Sequence, residues 1–348
     1  MTIEITGSAQ WEAWQAKVLP PVERVADGLW SIPVPIPDNP LRYVLVYALE
    51  CREGLVLVDA GWDDDVSWQA LTDGIRTIGA HITDVRAVLV THHHPDHLGL
   101  AGRVREASGA WVALHTLDAA VARPGLSPEE RSEDIRSHLE LHGIPGDEAR
   151  RTVDLLDVGR ALQSPAPDVL LEDGEEIRLP GLELKTIWTP GHSPGHSCFY
   201  QPDRRLLFSG DHVLPRITPQ IAVYSQTAGD PLADFLRSLE RLETFEVDEV
   251  LPAHEYRFGR LDRRLADMTR HHIERLAELR AAARETPGRT AWELSARLAW
   301  SRPWESFDAT SRRFAMAETI AHLVLLENRG ELRRGADRPV RWYPAATI

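Results

Sequence analysis

Two patterns of apolar spacing divide the chain. Short apolar runs dominate the first 115 residues. "GLWSIPVPIP" and "YVLVYALE" are rich in β-formers, with prolines that suit sheet edges or turns. "GLVLVDAG" and "RAVLVT" are unbroken apolar runs of buried-strand length, and "HLGLAGRVREA" beyond them has helical spacing. From about Thr116 to Leu171 the spacing becomes helical. Ser127-Pro128-Glu129-Glu130 reads as a capping box with proline at the first helical position, and Gly143 closes the run. This stretch predicts a helical insertion over the sheet. Strand-like runs return in "EEIRLPGLELKTIWTPGH", "SCFYQPDRRLLFSGDHV" and "VDEVLPAH". After His254, apolar positions at Leu265, Met268, Ile273, Leu276 and Leu279 predict an amphipathic helix. A capping box at Thr290–Glu293 opens another, "RRFAMAETIAHLVLLENRGEL" ends a third at Gly330, and "GELRR…PVRWYP" reads as a hairpin. The pattern predicts an α/β domain over 1–258 and a small, mostly α domain over 259–348.

Composition narrows the class. With 348 residues and 43% hydrophobic content the chain can bury a sizeable core. No apolar run approaches the roughly 18 residues needed to cross a membrane. The N-terminus has neither the basic nor the apolar part of a signal peptide. The two cysteines, Cys51 and Cys198, are expected as buried small apolar residues. A cytoplasmic location with no membrane partner follows as the default expectation. The net charge of −14 is uneven: from Leu261 onward 16 arginines face 12 carboxylates, leaving −18 on the first 260 residues. That balance weighs against nucleic acid as a partner without excluding it. The helix–helix–helix–hairpin order of the tail resembles a winged-helix module, which can bind substrate, bind RNA or form a homodimer.

The chemistry concentrates in "VTHHHPDHLG". His92 and His94 are two apart in an extended loop, so both can face one point. Asp96 and His97 follow at a turn and can face a second point nearby, while His93 points away from its neighbours, toward solvent or into a supporting place behind them. Imidazole and carboxylate together suit Zn²⁺. Further clusters arrive at strand ends: His192 and His196, then Asp211 and His212, then His254. Asp211, lying between histidine clusters, is placed to bridge two cations.

In order, VDAG, THHHPDH, GHSPGH, SGDH and PAH resemble the motifs of the metallo-β-lactamase fold superfamily over roughly residues 24–258. The resemblance implies a four-layer αβ/βα sandwich holding two divalent metal ions. His92, His94 and His192 would hold one, Asp96, His97 and His254 the other, and Asp211 would bridge. Asp59 would orient a ligand histidine by accepting its other ring N–H, and His196 would support or pack. Flavin-partnered diiron members replace the second histidine of the first motif by glutamate. His94 is retained here, which favours a dizinc hydrolase, with iron or manganese as alternatives.

Two cations about 3.5–4 Å apart turn a bridging water into hydroxide near neutral pH, and their charge stabilises the oxyanion formed when it attacks a carbonyl. Asp96 would orient this nucleophile. His212 and Tyr224 are candidates for a proton donor or an oxyanion contact. The motif order resembles glyoxalase II and its relatives, implying a thioester or other carboxylic ester as the small-molecule acyl substrate. The insertion and tail depart from glyoxalase II and put glutathione specificity in doubt. Arg131, Arg136, Arg150 and Arg151 either meet coenzyme A phosphates or form a solvated helix face. The alternatives are an endoribonuclease or phosphodiesterase, as in members with a winged-helix-like tail, a lactonase, or a mononuclear-iron sulfur dioxygenase. The lack of an export signal weighs against an exported β-lactamase.

Overall fold

Strand β1 (Glu4–Ile5) and helix α1 (Ser8–Ala16) open the chain in the computed structural model, which describes residues 3–122, 127–154 and 165–345. A mixed seven-stranded sheet follows, with strands side by side in chain order: β2 (Glu23–Ala26), β3 (Leu29–Pro35), β4 (Tyr43–Cys51), β5 (Gly54–Val58), β6 (Val85–Leu89), β7 (Trp111–His115) and β8 (Val169–Leu171). β2 to β5 run antiparallel, whereas β5 to β8 are parallel and are linked through α2 (Asp65–Thr77), α3 (Pro95–Leu98), α4 (Ala101–Ser108) and α5 (Thr116–Val121). Pro33 and Pro35 lie on β3, which is inside the sheet rather than at its edge. They are tolerated because β2 pairs only with Leu29–Ser31, so among the described residues the proline-bearing half has no strand partner on that side.

Helices α6 (Pro128–Leu141) and α7 (Gly146–Asp154) occupy the middle of the expected insertion. The second mixed sheet then contains β9 (Glu176–Leu179), β10 (Leu182–Trp188), β11 (Ser197–Gln201), β12 (Leu206–Gly210), β13 (Glu249–Pro252) and β14 (Phe258–Gly259), with β1 added outside β14. Only β12 and β13 are parallel, and helix α8 (Pro231–Leu242) lies in their connection.

Side chains along a strand alternate between faces, and here both faces are covered. Tyr43, Leu45, Tyr47 and Leu49 of β4 share a core with Phe199, Phe208 and Leu251 of the second sheet. The intervening Val44, Val46 and Ala48 pack with Leu71 and Ile75 of α2 and Val104 of α4. Double burial is why these strands read as unbroken apolar runs.

Contacts divide the chain into two units at more points than one cut after residue 258. Residues 1–123, 161–219 and 238–266 form the first; 124–160, 220–237 and 267–348 form the second. The insertion expected over 116–171 is therefore composite. α5 and β8 belong to the first unit, while α6 and α7 belong to the second, together with the C-terminal segment. Glu148 pairs with Arg312, the Trp292 N–H donates to the His142 carbonyl, and the Val340 N–H donates to the Leu141 carbonyl. Residues 123–126 and 155–164 of that stretch lie outside the described residues.

The second unit also contains most of α9 (Leu261–Glu285), then α10 (Ala291–Ser295), α11 (Ala309–Asn328) and an antiparallel pair, β15 (Leu332–Arg334) and β16 (Trp342–Pro344). The capping boxes at Ser127–Glu130 and Thr290–Glu293 form, and Gly143 and Gly330 take positive φ beyond their helices. One core position is shifted from expectation. Leu265, Met268, Leu276 and Leu279 are buried, but Ile273 is 57% exposed and His272 takes the inward place.

Candidate metal centre

Every residue of the centre sits just past the carboxyl end of a strand in the first unit: Asp59 after β5, His92–His97 after β6, His192 after β10, Asp211 after β12 and His254 after β13. Two of these turns depend on special backbone. Asp59 adopts φ 61°, and Gly210 adopts φ 50° with no room for a Cβ, which would lie 2.7 Å from His196 Nε2.

The ring orientations are set from behind. The Asp59 carboxylate accepts from the Thr91 N–H (2.8 Å), the Thr91 hydroxyl (3.1 Å) and His97 Nδ1 (2.8 Å). Because that hydroxyl gives its proton to Asp59, its oxygen is free to accept from His92 Nδ1 at 3.0 Å. His254 Nδ1 donates to the Tyr43 carbonyl at 2.8 Å. His92, His97 and His254 are thus each held so that the neutral ring would present its Nε2 lone pair to the site.

These lone pairs converge on two foci. His92 Nε2 and His192 Nε2 lie 2.9 and 3.0 Å from His94 Nδ1. At the second focus His97 Nε2 and His254 Nε2 lie 3.6 and 3.5 Å from Asp96 Oδ2. Asp211 faces both: Oδ1 is 3.1 Å from His254 Nε2 and 3.5 Å from His97 Nε2, and Oδ2 is 3.5 Å from His192 Nε2. Each of the groups His92/His94/His192, His92/His97/Asp211 and Asp96/His97/His254 has its ligand atoms within 4.8 Å of one another.

The donor set fits metal. His97 Nε2, His254 Nε2 and Asp211 Oδ1 are buried and face one another without a well-formed hydrogen bond among the described residues, and such atoms are costly to bury unless something coordinates them. Charge divides along the same line. Burial, reinforced by neighbouring imidazoles, pushes His92 and His94 well below the usual histidine range. Burial opposes charge on His254 too, but Asp211 and Asp96 outweigh it and raise the ring to about 10. Against the same burial, His97 and His254 lower Asp96 to about 2. The carboxylate-rich half demands positive charge, and the all-imidazole half offers neutral donors, as divalent cations require.

The other residues singled out from sequence have different surroundings. Asp211 N–H donates to His196 Nε2 at 3.2 Å, so the His196 Nδ1 proton goes to Thr189 Oγ1 at 2.8 Å and the ring buttresses Asp211. His212 is wholly buried, 5.5 Å from the His196 ring, and belongs to none of the ligand groups. Tyr224 lies in the second unit. Its hydroxyl meets Gln220 Oε1 at 3.3 Å and its ring carries the Arg313 guanidinium. Of the two expectations for His93, support behind the ligand candidates is the one the structure shows, because its Nδ1 pairs with the buried Asp118 at 3.0 Å. Arg136 pairs with Glu133 and Glu140, and Arg151 with Asp147, as on a solvated helix face. Sequence reasoning missed Thr91, Asp118 and the Tyr43 carbonyl. Thr91 alone had a local signal, its place beside His92 at a strand end.

A paired histidine–carboxylate centre at the strand ends of a two-sheet αβ sandwich defines a class of metal-dependent hydrolases. The chain belongs to the metallo-beta-lactamase superfamily, whose family model matches residues 39–254, and a second model, the metallo-beta-lactamase-like C-terminal domain, matches 276–345. It is a metal-dependent hydrolase of that superfamily. The crystal structure of the metallo-beta-lactamase family protein TTHA1429 from Thermus thermophilus is 32% identical with a TM-score of 0.78, over 92% of this chain and 100% of that one. The probable metallo-hydrolase YqjP of Bacillus subtilis is 24% identical over 82% of this chain and 88% of its own. The acyl-coenzyme A thioesterase MBLAC2 of Homo sapiens is 30% identical over 49% of this chain and 56% of its own. Among the described residues, no helix is long and apolar enough to cross a membrane.

Proposed function

We propose that the protein is a dinuclear metal hydrolase that cleaves a thioester, such as an acyl-coenzyme A, or a related carboxylic ester. The observation that carries this reading is Asp211, whose two oxygens face the two histidine sets separately. His92, His94 and His192 would hold one ion, Asp96, His97 and His254 the other, with Asp211 shared; the N/O donors suit Zn²⁺. The bound pair supplies hydroxide near neutral pH and the charge that stabilises an oxyanion. The chain itself fixes the donors: Asp59, Thr91 and the Tyr43 carbonyl hold three imidazoles in single tautomers, and His196 holds Asp211. Asp96, within the second focus beside His97 and His254, would orient the nucleophile.

The leaving group narrows the substrate. His212, the proton-donor candidate nearest in sequence to Asp211, is sealed from solvent beside His196. A thiolate, the conjugate base of a thiol with pKa about 8.5, departs without such a donor, whereas an alkoxide needs one. The partial match to an acyl-coenzyme A thioesterase points the same way.

The test is hydrolysis of acyl-coenzyme A thioesters of graded chain length by the zinc-loaded protein, with Asp96→Ala as control. Turnover that disappears in the variant supports the reading; a protein carrying two ions that leaves every thioester intact refutes the substrate class.

A further inference from the structure

Asp118, in α5 beyond the end of β7, is fully buried and belongs to neither focus, yet among the described residues its side-chain hydrogen bonds all come from the loops that carry the three-histidine focus. Oδ2 accepts from the His93 N–H (2.8 Å), His93 Nδ1 (3.0 Å) and the Ser193 hydroxyl (2.8 Å), while Oδ1 accepts from the Gly195 N–H (2.5 Å). His93 lies between His92 and His94; Ser193 follows His192. A second observation shows how closely the loops are drawn in. A Cβ on Gly195 would sit 2.5 Å from Asp118 N and 2.8 Å from Asp118 Cβ, so this glycine of "GHSPGH" is required by the approach to Asp118.

We propose that Asp118 is the positioning residue of the three-histidine focus, fixing the loop of His92 and His94 against the loop of His192 and thereby setting that focus's affinity for its metal. The proposal rests on the two-metal reading above. Its chemistry is acceptor-only. An ionised carboxylate can take four donors, three on one oxygen and one on the other. An amide cannot: in either orientation its NH₂ faces a donor, Gly195 N–H one way and the His93 and Ser193 donors the other. Asp118→Asn therefore conserves shape while releasing one loop from the other. Among the described residues the His97–Asp96–His254 focus makes no hydrogen bond to this carboxylate and is left as it was.

The experiment is a chelator-competition zinc titration of the full-length protein, comparing wild type with Asp118→Asn, His192→Ala and His254→Ala. The wild type takes up two ions. Asp118→Asn weakens by about 10–100-fold the same step that His192→Ala abolishes, and leaves unchanged the step that His254→Ala abolishes. Ser193→Ala, which removes one of the four donors, weakens that step by a smaller factor and decides the matter alone if Asp118→Asn does not fold. Two wild-type steps with no selective loss in these variants, or with both steps weakened equally, would make Asp118 a general support of the fold and overturn the proposal. A wild type that takes up fewer than two ions overturns the dinuclear reading itself and the proposal with it.

Discussion

Replacing Asp59 by asparagine isolates what a single oriented carboxylate does for the centre. The backbone is spared, because Asp59 sits at φ 61° and asparagine is among the few residues that adopt this left-handed conformation readily. The side chain is not spared. Three donors converge on the two oxygens: Thr91 N–H at 2.8 Å, the Thr91 hydroxyl at 3.1 Å and His97 Nδ1 at 2.8 Å. An NH₂ in place of Oδ2 faces the His97 ring proton and removes the acceptor that fixes its tautomer; in place of Oδ1 it faces the Thr91 N–H. A lost hydrogen bond of this charged kind costs about 1.5–3 kcal/mol. Zinc affinity should fall about 10–100-fold, roughly 1.4–2.7 kcal/mol, with the loss on the step served by His97. Competition with a chromogenic chelator reads this directly, and urea unfolding of the metal-free protein measures the accompanying stability loss. Zinc affinity within twofold of wild type would refute the claim that Asp59 prepares His97 for its ligand role.

Other outcomes follow from the same geometry. Gly210→Ala places a Cβ 2.8 Å from the Thr91 Cβ at a positive φ and should destabilise the fold by about 1–3 kcal/mol in urea titration. In metal-free protein Asp118 bears on pH dependence. Burial opposes its ionisation, but the His93 and Ser193 contacts prevail and hold its folded pKa below the usual carboxylate range. Its contribution is therefore fully present above the unfolded value of about 3.9 and is lost as pH falls through the depressed folded value. The stability gap between wild type and Asp118→Asn should narrow only below about pH 4, as acid titration of fluorescence can show. Leu57→Ala, in the core under the helices, should cost about 2–5 kcal/mol. Ile273→Asn, on the exposed side of α9, should fall within about 0.5 kcal/mol of wild type by thermal unfolding; a larger loss would place Ile273 inside.

The histidines and carboxylates that converge on the two foci were legible in the sequence because the fold supplies them from short loops at strand ends, where local spacing constrains direction. His92 and His94 at alternate positions, and His254 directly after an apolar strand, carry their geometry with them. The partners that orient them do not. Tyr43 meets His254 only because β4 of one sheet faces the end of β13 in the other, where Tyr47 also donates to the Pro252 carbonyl. Asp118 meets Ser193 across 75 residues, a pairing no local pattern reveals. The α9 helix shows another limit. Periodicity fixed the helix, but at one position an apolar residue competed with histidine for the inward phase. His272 is inside with its Nδ1 3.1 Å from His322 Nε2, so a polar partner on α11 decided the matter. The same limit applies to α6 and α7: capping signals located a helix, but which surface it covers depends on distant segments such as the one holding Arg312.

The most direct test of the dinuclear centre is the number of zinc ions retained per chain after equilibrium dialysis, measured for wild type and Asp211→Asn by elemental analysis. The geometry of Asp211, one oxygen toward each focus, predicts two ions in the wild type and weakened retention at both positions in the variant. A wild type saturating at one ion, or a variant that retains two as tightly as wild type, would contradict a shared carboxylate and the two-metal hydrolase built on it.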